Sequence, residues 1–166
     1  MSIAFEIKWL YLIECGFYVH SVYATIYMDT KRKDFLVMLI HHFLTMTLIV
    51  VTYATRYQKV GVMVLFVHDI TDILLEFTKC NVYMRKRNGQ FYSLNEYVSN
   101  IFFVIFAAAW FVFRLYWYPL KILYTSTVVS VYEATPRGAG LYGFLNSLMW
   151  FLLGLNLYWF YVLGFY

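Results

Sequence analysis

Residues 35–54 read FLVMLIHHFLTMTLIVVTYA, a run without an Asp, Glu, Lys or Arg. An α-helix rises about 1.5 Å per residue, so this run is long enough to cross a hydrocarbon core about 30 Å thick. Charged residues precede it in DTKRKD, 29–34, and Arg56 follows it. The run therefore predicts a membrane-spanning helix, and it places two adjacent histidines, His41 and His42, inside the bilayer.

The whole chain has the composition of a lipid-facing protein. Of its 166 residues, 63% are hydrophobic and 13% are charged, whereas a soluble domain carries about 25% charged residues. Four further stretches are apolar for about 19 to 26 residues each. They lie at about 9–27, 60–84, 97–117 and 141–166. The sequence therefore predicts an all-α, polytopic transmembrane protein with about five spanning helices in one domain, residues 1–166.

Proline and glycine mark two breaks in the second half of the chain. Pro119 removes a backbone donor, so we expect the fourth helix to kink or end there, with 120–132 as a continuation beyond the kink. A loop is predicted where three helix breakers lie close together, at Pro136, Gly138 and Gly140.

The basic residues lie in short clusters between the apolar stretches. Because Lys and Arg concentrate in cytosolic loops, Lys31-Arg32-Lys33 and Arg85-Lys86-Arg87 are predicted to face the cytosol, as is the carboxyl end. The formal charge of +4 therefore reflects membrane topology. This distribution is not the basic face of a nucleic-acid-binding domain.

The third apolar stretch carries charged side chains at positions that share one helical face. Each charge at mid-bilayer costs about 2.5–3.5 kcal/mol on insertion scales. At about 100° per residue the polar set occupies a stripe about 100° wide, while Leu74, Phe77 and Thr78 face away. The members of this stripe are His68, Asp69, Asp72, Glu76 and Lys79.

The second apolar stretch repeats the pattern, with His41, His42, Thr45 and Thr52 on one side. We expect the two stripes to face each other around an enclosed polar cavity. On the first stretch His20 and Ser21 could join its lining. The alternatives are that single histidines only pack in the core, and that Asp72, Glu76 and Lys79 form a structural ion-pair ladder.

These residues resemble the Lag1 motif of ceramide synthases, within the wider TLC-domain family. The motif is His41-His42-x-x-Thr45, followed by His68-Asp69-x-x-Asp72, Glu76 and Lys79. Thr52 stands where many members have Ser, which keeps a hydroxyl. The resemblance extends over nearly the whole chain. The sequence of residues 114–121 is similar to that of the ceramide synthases that prefer stearoyl-CoA.

The resemblance implies a TLC-type helical barrel in the endoplasmic reticulum membrane, of which this chain lacks the amino-terminal spans. It implies acyl-CoA and sphinganine or sphingosine as substrates, no cofactor, and a homo- or heterodimer with other ceramide synthases. It also implies that the turn between the last two spans sets acyl-chain length. The residues of that turn are Tyr132, Glu133, Pro136 and Arg137.

An N-acyltransferase site must accept a proton from the amine and stabilise an oxyanion. We expect one of His41 or His42 to act as nucleophile or as general base, because an imidazole is neutral and basic near working pH. Asp69 or Asp72 would orient the imidazole, and His68 completes the catalytic set. The rival classes are a metal-dependent lipid hydroxylase, for which four histidines are too few by family analogy, and a non-enzymatic lipid-sensing or translocation-associated TLC protein.

Overall fold

A computed structural model describes residues 5–28, 34–87, 89–133 and 139–164, with the side chains of 129–133 and 139 excepted. The described chain is helical apart from one short hairpin. In order, its elements are α1 (Phe5–Tyr27), α2 (Phe35–Ala54), α3 (Gln58–Met84), β1 (Lys86–Arg87), β2 (Gln90–Phe91), α4 (Ser93–Trp110), a π-helical segment (Phe111–Leu123), α5 (Tyr124–Glu133) and α6 (Ala139–Leu163).

The helical, polytopic class predicted from the sequence is confirmed. Within the described ranges, three helical stretches are long and apolar enough to cross a membrane: Phe35–Ala54, Ser93–Val128 and Gly140–Leu163. Helices α1 and α3 have the length of spanning helices but are interrupted by charged side chains. In α3 these are the same charges that define its polar stripe.

The helix continues through Pro119, so the predicted continuation over 120–132 is confirmed, and the alternative that the helix ends at Pro119 is wrong. Residues Phe111–Leu123 wind in wider π-type turns, and α5 continues directly from them. In π-type turns the N–H bonds to the carbonyl five residues earlier instead of four, so the carbonyl that the proline ring would strike in an α-helix is displaced. The expected break at Gly140 is also wrong, because that residue lies in the first turn of α6.

The polar link between α3 and α4 is a hairpin that the apolar pattern did not predict. Lys86 pairs with Phe91, and Arg87 pairs with Gln90, in antiparallel register. Gly89 lies in the turn with φ of +74°, a conformation that glycine adopts without steric cost. The hairpin brings Arg85 back against α4, where its guanidinium forms an ion pair with Glu96 at 3.3 Å.

The main apolar core forms where α2, α3, the π-helical segment and α6 meet. Each element contributes buried aliphatic or aromatic side chains. They include Leu44 and Leu48, Val64 and Val67, Tyr118 and Ile122, and Met149 and Leu152. Because the π-helical segment lies between α3 and α6, it can join polar groups from both helices.

A second, smaller cluster joins α1 to α2 and α3. Tyr11 and Tyr18 are buried against Ile49 and Leu65. The hydroxyl of Tyr11 lies 3.1 Å from the Thr52 hydroxyl. It also approaches Gly61 so closely that a Cβ at that position would lie 2.0 Å from it. Gly61 is therefore required by the packing of α1 on α3.

Candidate functional site

The buried face of α2 carries the histidine and threonines that the sequence placed on one stripe. His41, Thr45 and Thr52 are all buried. The two threonine hydroxyls donate to backbone carbonyls one turn earlier, at 2.9 Å for Thr45 and 2.7 Å for Thr52. Both hydroxyls are thus engaged within α2, whereas Nδ1 of His41 is buried without a hydrogen-bond partner among the described residues.

The structure brings the histidines of α2 and α3 together. The ring centroids of His41 and His68 lie 6.3 Å apart, and those of His41 and His42 lie 5.8 Å apart. Two aromatic side chains enclose the group: Trp159 packs edge-on to His41 at 5.0 Å, and Tyr118 packs edge-on to His68 at 5.5 Å. The imidazoles therefore lie in a water-poor, aromatic environment.

The main polar element beside the histidines is Arg114 of the π-helical segment, whose side chain is only 2% exposed. Its Nη2 donates to the backbone carbonyl of His68 at 3.0 Å and to the carboxylate of Asp72. Its Nε donates to the hydroxyl of Thr71 at 2.6 Å. Its guanidinium also lies 4.0 Å from the ring centre of Trp110, a cation–π distance.

Asp72 therefore balances the charge of a buried arginine, while α6 supplies the remaining polar contacts. Asn156, which is fully buried, accepts from Arg114 Nη1 at 3.4 Å and lies 3.3 Å from His68 Nε2 through its Nδ2. The backbone carbonyl of Asn156 accepts from the indole N–H of Trp110 at 3.3 Å. The polar group thus extends from Asp72 through Arg114 and Asn156 to the ring of His68.

Arg114 and Asn156 belong to this polar group but were not predicted from the sequence as members of the site. Both carried a usable signal, since an arginine inside an apolar helix is costly and Asn156 lies in an uncharged span. The polar stripes were derived from the periodicity of one helix at a time, however. Periodicity along single helices cannot predict that Arg114 and Asp72, 42 positions apart, form an ion pair in which the arginine is buried and the carboxylate is partly exposed.

The stripe on α3 is only partly turned toward the core. The buried face of this helix is centred near Thr71 and Val64 and includes His68. Thr78, expected to face away, is buried. Glu76 is 65% exposed and forms an ion pair with Lys79 at 2.6 Å, whereas Asp69 is half-buried. The charges farther from His68 therefore lie at the edge of the helix bundle.

The structure does not bring His20 and Ser21 to the histidine group. His20 is exposed, and the Ser21 hydroxyl donates to the Phe17 carbonyl of its own helix at 2.9 Å. Helix α1 approaches the group through Tyr18 instead, whose ring lies 6.1 Å from that of His42. The first helix is rotated relative to the expected lining because its tyrosines, rather than its small polar residues, fill the groove beside α2.

A cavity of about 130 Å³ lies between α2, α3, the π-helical segment, α5 and α6. Most of its wall is apolar, and Thr52, Lys121, Thr125 and Ser126 supply hydroxyl and ammonium groups. Apolar lining residues include Leu48, Met63, Ile122, Leu145 and Met149. Because it borders the end of α2 and the beginning of α6, the cavity lies on the side of the histidines that points toward the turn before α6.

Two further predictions concern metal ligands and the turn itself. Over the ranges that the structure describes, no group of three or more His, Cys, Asp or Glu side chains is placed to hold a metal ion. Pro136 and Arg137 lie outside the described residues, and for Tyr132 and Glu133 the structure describes the helical backbone alone. Their expected part in setting acyl-chain length stays a prediction.

Comparison with known families gives the histidine group a context. Residues 2–163 match the family model of TRAM, LAG1 and CLN8 proteins, the TLC domain. The chain belongs to the TLC-domain family. Nearly all of the described fold therefore lies within one TLC domain, which includes both histidine-bearing helices and the arginine and asparagine that join them.

The TLC domain is also similar to curated ceramide synthases. It is 46% identical to human "Ceramide synthase 1" over 166 residues, 99% of this chain and 47% of the relative. It is 47% identical to the mouse protein of the same name over 131 residues, 79% of this chain and 37% of the relative. It is 35% identical to "Ceramide synthase LOH1" of Arabidopsis thaliana over 158 residues, 93% and 48%.

The resemblance drawn from the histidine motif is thus confirmed at the level of family. The chain spans about half the length of the curated relatives it matches.

Proposed function

We propose that the protein containing this TLC domain is a ceramide synthase, which transfers a fatty acyl group from acyl-CoA to the amine of sphinganine or sphingosine. The observation that carries the proposal is the buried contact between His41 and His68, together with Arg114, which donates to the backbone carbonyl of His68. It lies in a chain that is 46% identical to a ceramide synthase over nearly its whole length.

The proposed chemistry begins at His41. An unprotonated ring nitrogen attacks the thioester carbonyl, the C–S bond breaks, and coenzyme A leaves as thiolate and takes up a proton. The sphingoid amine then attacks the acyl-imidazole, forms the amide bond and gives up its proton, so that neutral imidazole is regenerated. The same geometry allows direct transfer, in which the histidine only removes the proton from the amine.

The structure favours an indirect role for Asp72. Both ring nitrogens of His68 already have partners, Val64 O at 2.7 Å and Asn156 Nδ2 at 3.3 Å. The carboxylate of Asp72 is instead bound to Arg114. Asp72 would therefore act by holding the arginine, and Arg114 would place positive charge near the oxyanion that forms on the carbonyl oxygen of the thioester.

We infer that the apolar cavity receives part of the acyl tail. A thioester held at His41 would direct its chain away from the cytosolic end of α2, toward Leu48 and Met149. Each methylene that is buried is worth about 0.8 kcal/mol, so the depth of the cavity can select chain length. The similarity to human "Ceramide synthase 1" and the stretch 114–121 agree with a stearoyl-preferring enzyme.

The proposal includes the setting of the enzyme. The basic residues Arg85 to Arg87 and the cluster 31–33 would face the cytosol, where acyl-CoA is available and its phosphates meet positive charge. The carboxyl end would lie on the same side. We place the protein in the endoplasmic reticulum membrane, with no cofactor and with a second ceramide synthase as a possible partner in a dimer.

The test is an N-acyltransferase assay on the full-length protein with sphinganine and a panel of acyl-CoA donors from C14 to C26. We expect dihydroceramide to form, with stearoyl-CoA as the best donor. A non-enzymatic TLC protein would bind the lipid without forming an amide bond, so binding without product would overturn the proposal. Intact-mass measurement after incubation with acyl-CoA alone separates the two routes, because only the covalent route adds an acyl group to the protein.

A further inference from the structure

The imidazole of His68 is held in one tautomer by its two neighbours. The carbonyl of Val64 can only accept, so Nδ1, at 2.7 Å from it, must carry the proton. A neutral imidazole has one N–H, and Nε2 therefore presents a lone pair. That lone pair is directed at the side-chain amide of Asn156, which can donate to it.

The orientation of that amide is fixed in turn by Arg114. A guanidinium has donors only, so the Asn156 atom that faces Nη1 at 3.4 Å must be the carbonyl oxygen, Oδ1. The amino group, Nδ2, is then the atom that faces His68. Arg114 itself is held by Asp72, by the His68 carbonyl and by Thr71. Each hydrogen bond in this chain thus determines the direction of the next.

We propose that Asn156 is a positioning residue for acyl transfer. Oriented by Arg114, it keeps His68 neutral with its lone pair on Nε2. No imidazolium charge then arises at His68, next to His41. The inference rests on the proposed function and deepens it. It divides the histidine roles, because His68 has both nitrogens committed, whereas Nδ1 of His41 is without a partner within the described part of the chain.

Neutrality matters because positive charge develops at His41 during catalysis. Attack on the thioester, or removal of the amine proton, leaves the His41 ring cationic. An imidazolium at His68, with its ring centroid 6.3 Å away, would oppose that charge. Within the described residues, the titratable or charged groups that face the His41–His68 pair are His42 on α2, Asp72 on α3, and Arg114 and Tyr118 on the π-helical segment. Asp69, next to His68 in the chain, is half-buried.

The variant Asn156→Asp tests the inference in the full-length enzyme. Aspartate has the same shape and can still accept from Arg114, but its second oxygen can accept only from a protonated Nε2 of His68. The variant should therefore add a proton to His68. We expect kcat to fall by about tenfold to a hundredfold at neutral pH, with a smaller change in KM for acyl-CoA.

The decisive readout is the pH profile of kcat between about pH 6 and pH 9. The ratio of variant to wild-type activity should rise with pH, because alkali removes the added proton and restores the neutral imidazole. A merely structural role would lower the yield of folded enzyme and leave this ratio flat. A flat ratio in folded Asn156→Asp, or unchanged kcat, would overturn the inference.

The matched control is Asn146→Asp on the same helix. Asn146 accepts from the Ser126 hydroxyl at 2.9 Å, ten positions from Asn156 and away from the histidines. This variant should leave the shape of the pH profile unchanged; a rising ratio here too would show that any aspartate in α6 produces the effect and would overturn the assignment to Asn156.

If Asn156→Asp does not fold, Asn156→Leu replaces it. Leucine has the same branching at Cγ but no donor, so kcat should again fall by at least about tenfold, and unchanged kcat would refute the inference. Wild-type enzyme is assayed first. Absence of product from wild type refutes the proposed function itself, whereas an active wild type with an insensitive Asn156 refutes only the positioning role.

Discussion

The contact between α1 and α3 at Gly61 gives a prediction whose size follows from the structure. A Cβ at this position would lie 2.0 Å from the Tyr11 hydroxyl and 2.7 Å from the Thr52 hydroxyl. Tyr11 is buried and its ring is rigid, so Gly61→Ala must shift α1 or break the bond between the two hydroxyls.

The expected loss of stability combines three effects. Overpacking costs about 1–3 kcal/mol, and the lost hydrogen bond costs about 0.5–1.5 kcal/mol. The better helix propensity of alanine returns about 0.5–1 kcal/mol. The net destabilisation is therefore about 0.5–4 kcal/mol, which thermal unfolding of the detergent-solubilised protein can measure.

Gly154→Ala is the matched control, since a Cβ there meets nothing within 4 Å. It should leave stability unchanged or raise it by up to about 1 kcal/mol. In a Tyr11→Phe background, which removes the nearest atom, Gly61→Ala should cost less than it does alone. Equal unfolding temperatures for the two alanine variants would refute the close approach of α1 to α3.

Two further predictions concern the site. Asp72→Asn should lower acyl transfer by at least about tenfold and stability by about 2 kcal/mol, because it removes the charged partner of Arg114. Glu76→Gln alters an exposed ion pair and should change stability by less than about 1 kcal/mol. Equal and mild effects of the two variants on activity and unfolding would support a structural ion-pair ladder. Exchanging residues 131–140 with those of a family member that prefers longer acyl chains should lengthen the acyl chains of the ceramides formed, as measured by mass spectrometry. An active chimera with unchanged products would show that acyl-chain length is set elsewhere, for instance by side chains of α6.

The spans were predictable because long apolar runs between charged segments leave little freedom in how a helix crosses a bilayer. Helix α2 has the predicted bounds, Phe35–Ala54, and α3 begins two residues before the predicted start. The α2 stripe was correct for the same reason, since burial of His41, Thr45 and Thr52 follows from helical periodicity alone.

What the sequence did not predict depends on contacts between distant segments. The π-helical turns at Pro119 and the rotation of α1 toward Tyr18 are set by packing against neighbouring helices. The polar stripe of α3 was correctly recognised as unusual, but its centre was misplaced. The ion pair with the buried Arg114 explains why the Asp72 side chain is less exposed than that of Glu76.

Acyl transfer by the full-length protein carrying His41→Ala tests the central claim most directly. The variant removes the imidazole next to His68 without touching the contacts of Arg114, so it should insert and unfold like wild type. Dihydroceramide formed from sphinganine and stearoyl-CoA, measured by mass spectrometry, should fall to the level seen without enzyme. Wild-type turnover by a folded His41→Ala protein would contradict the account.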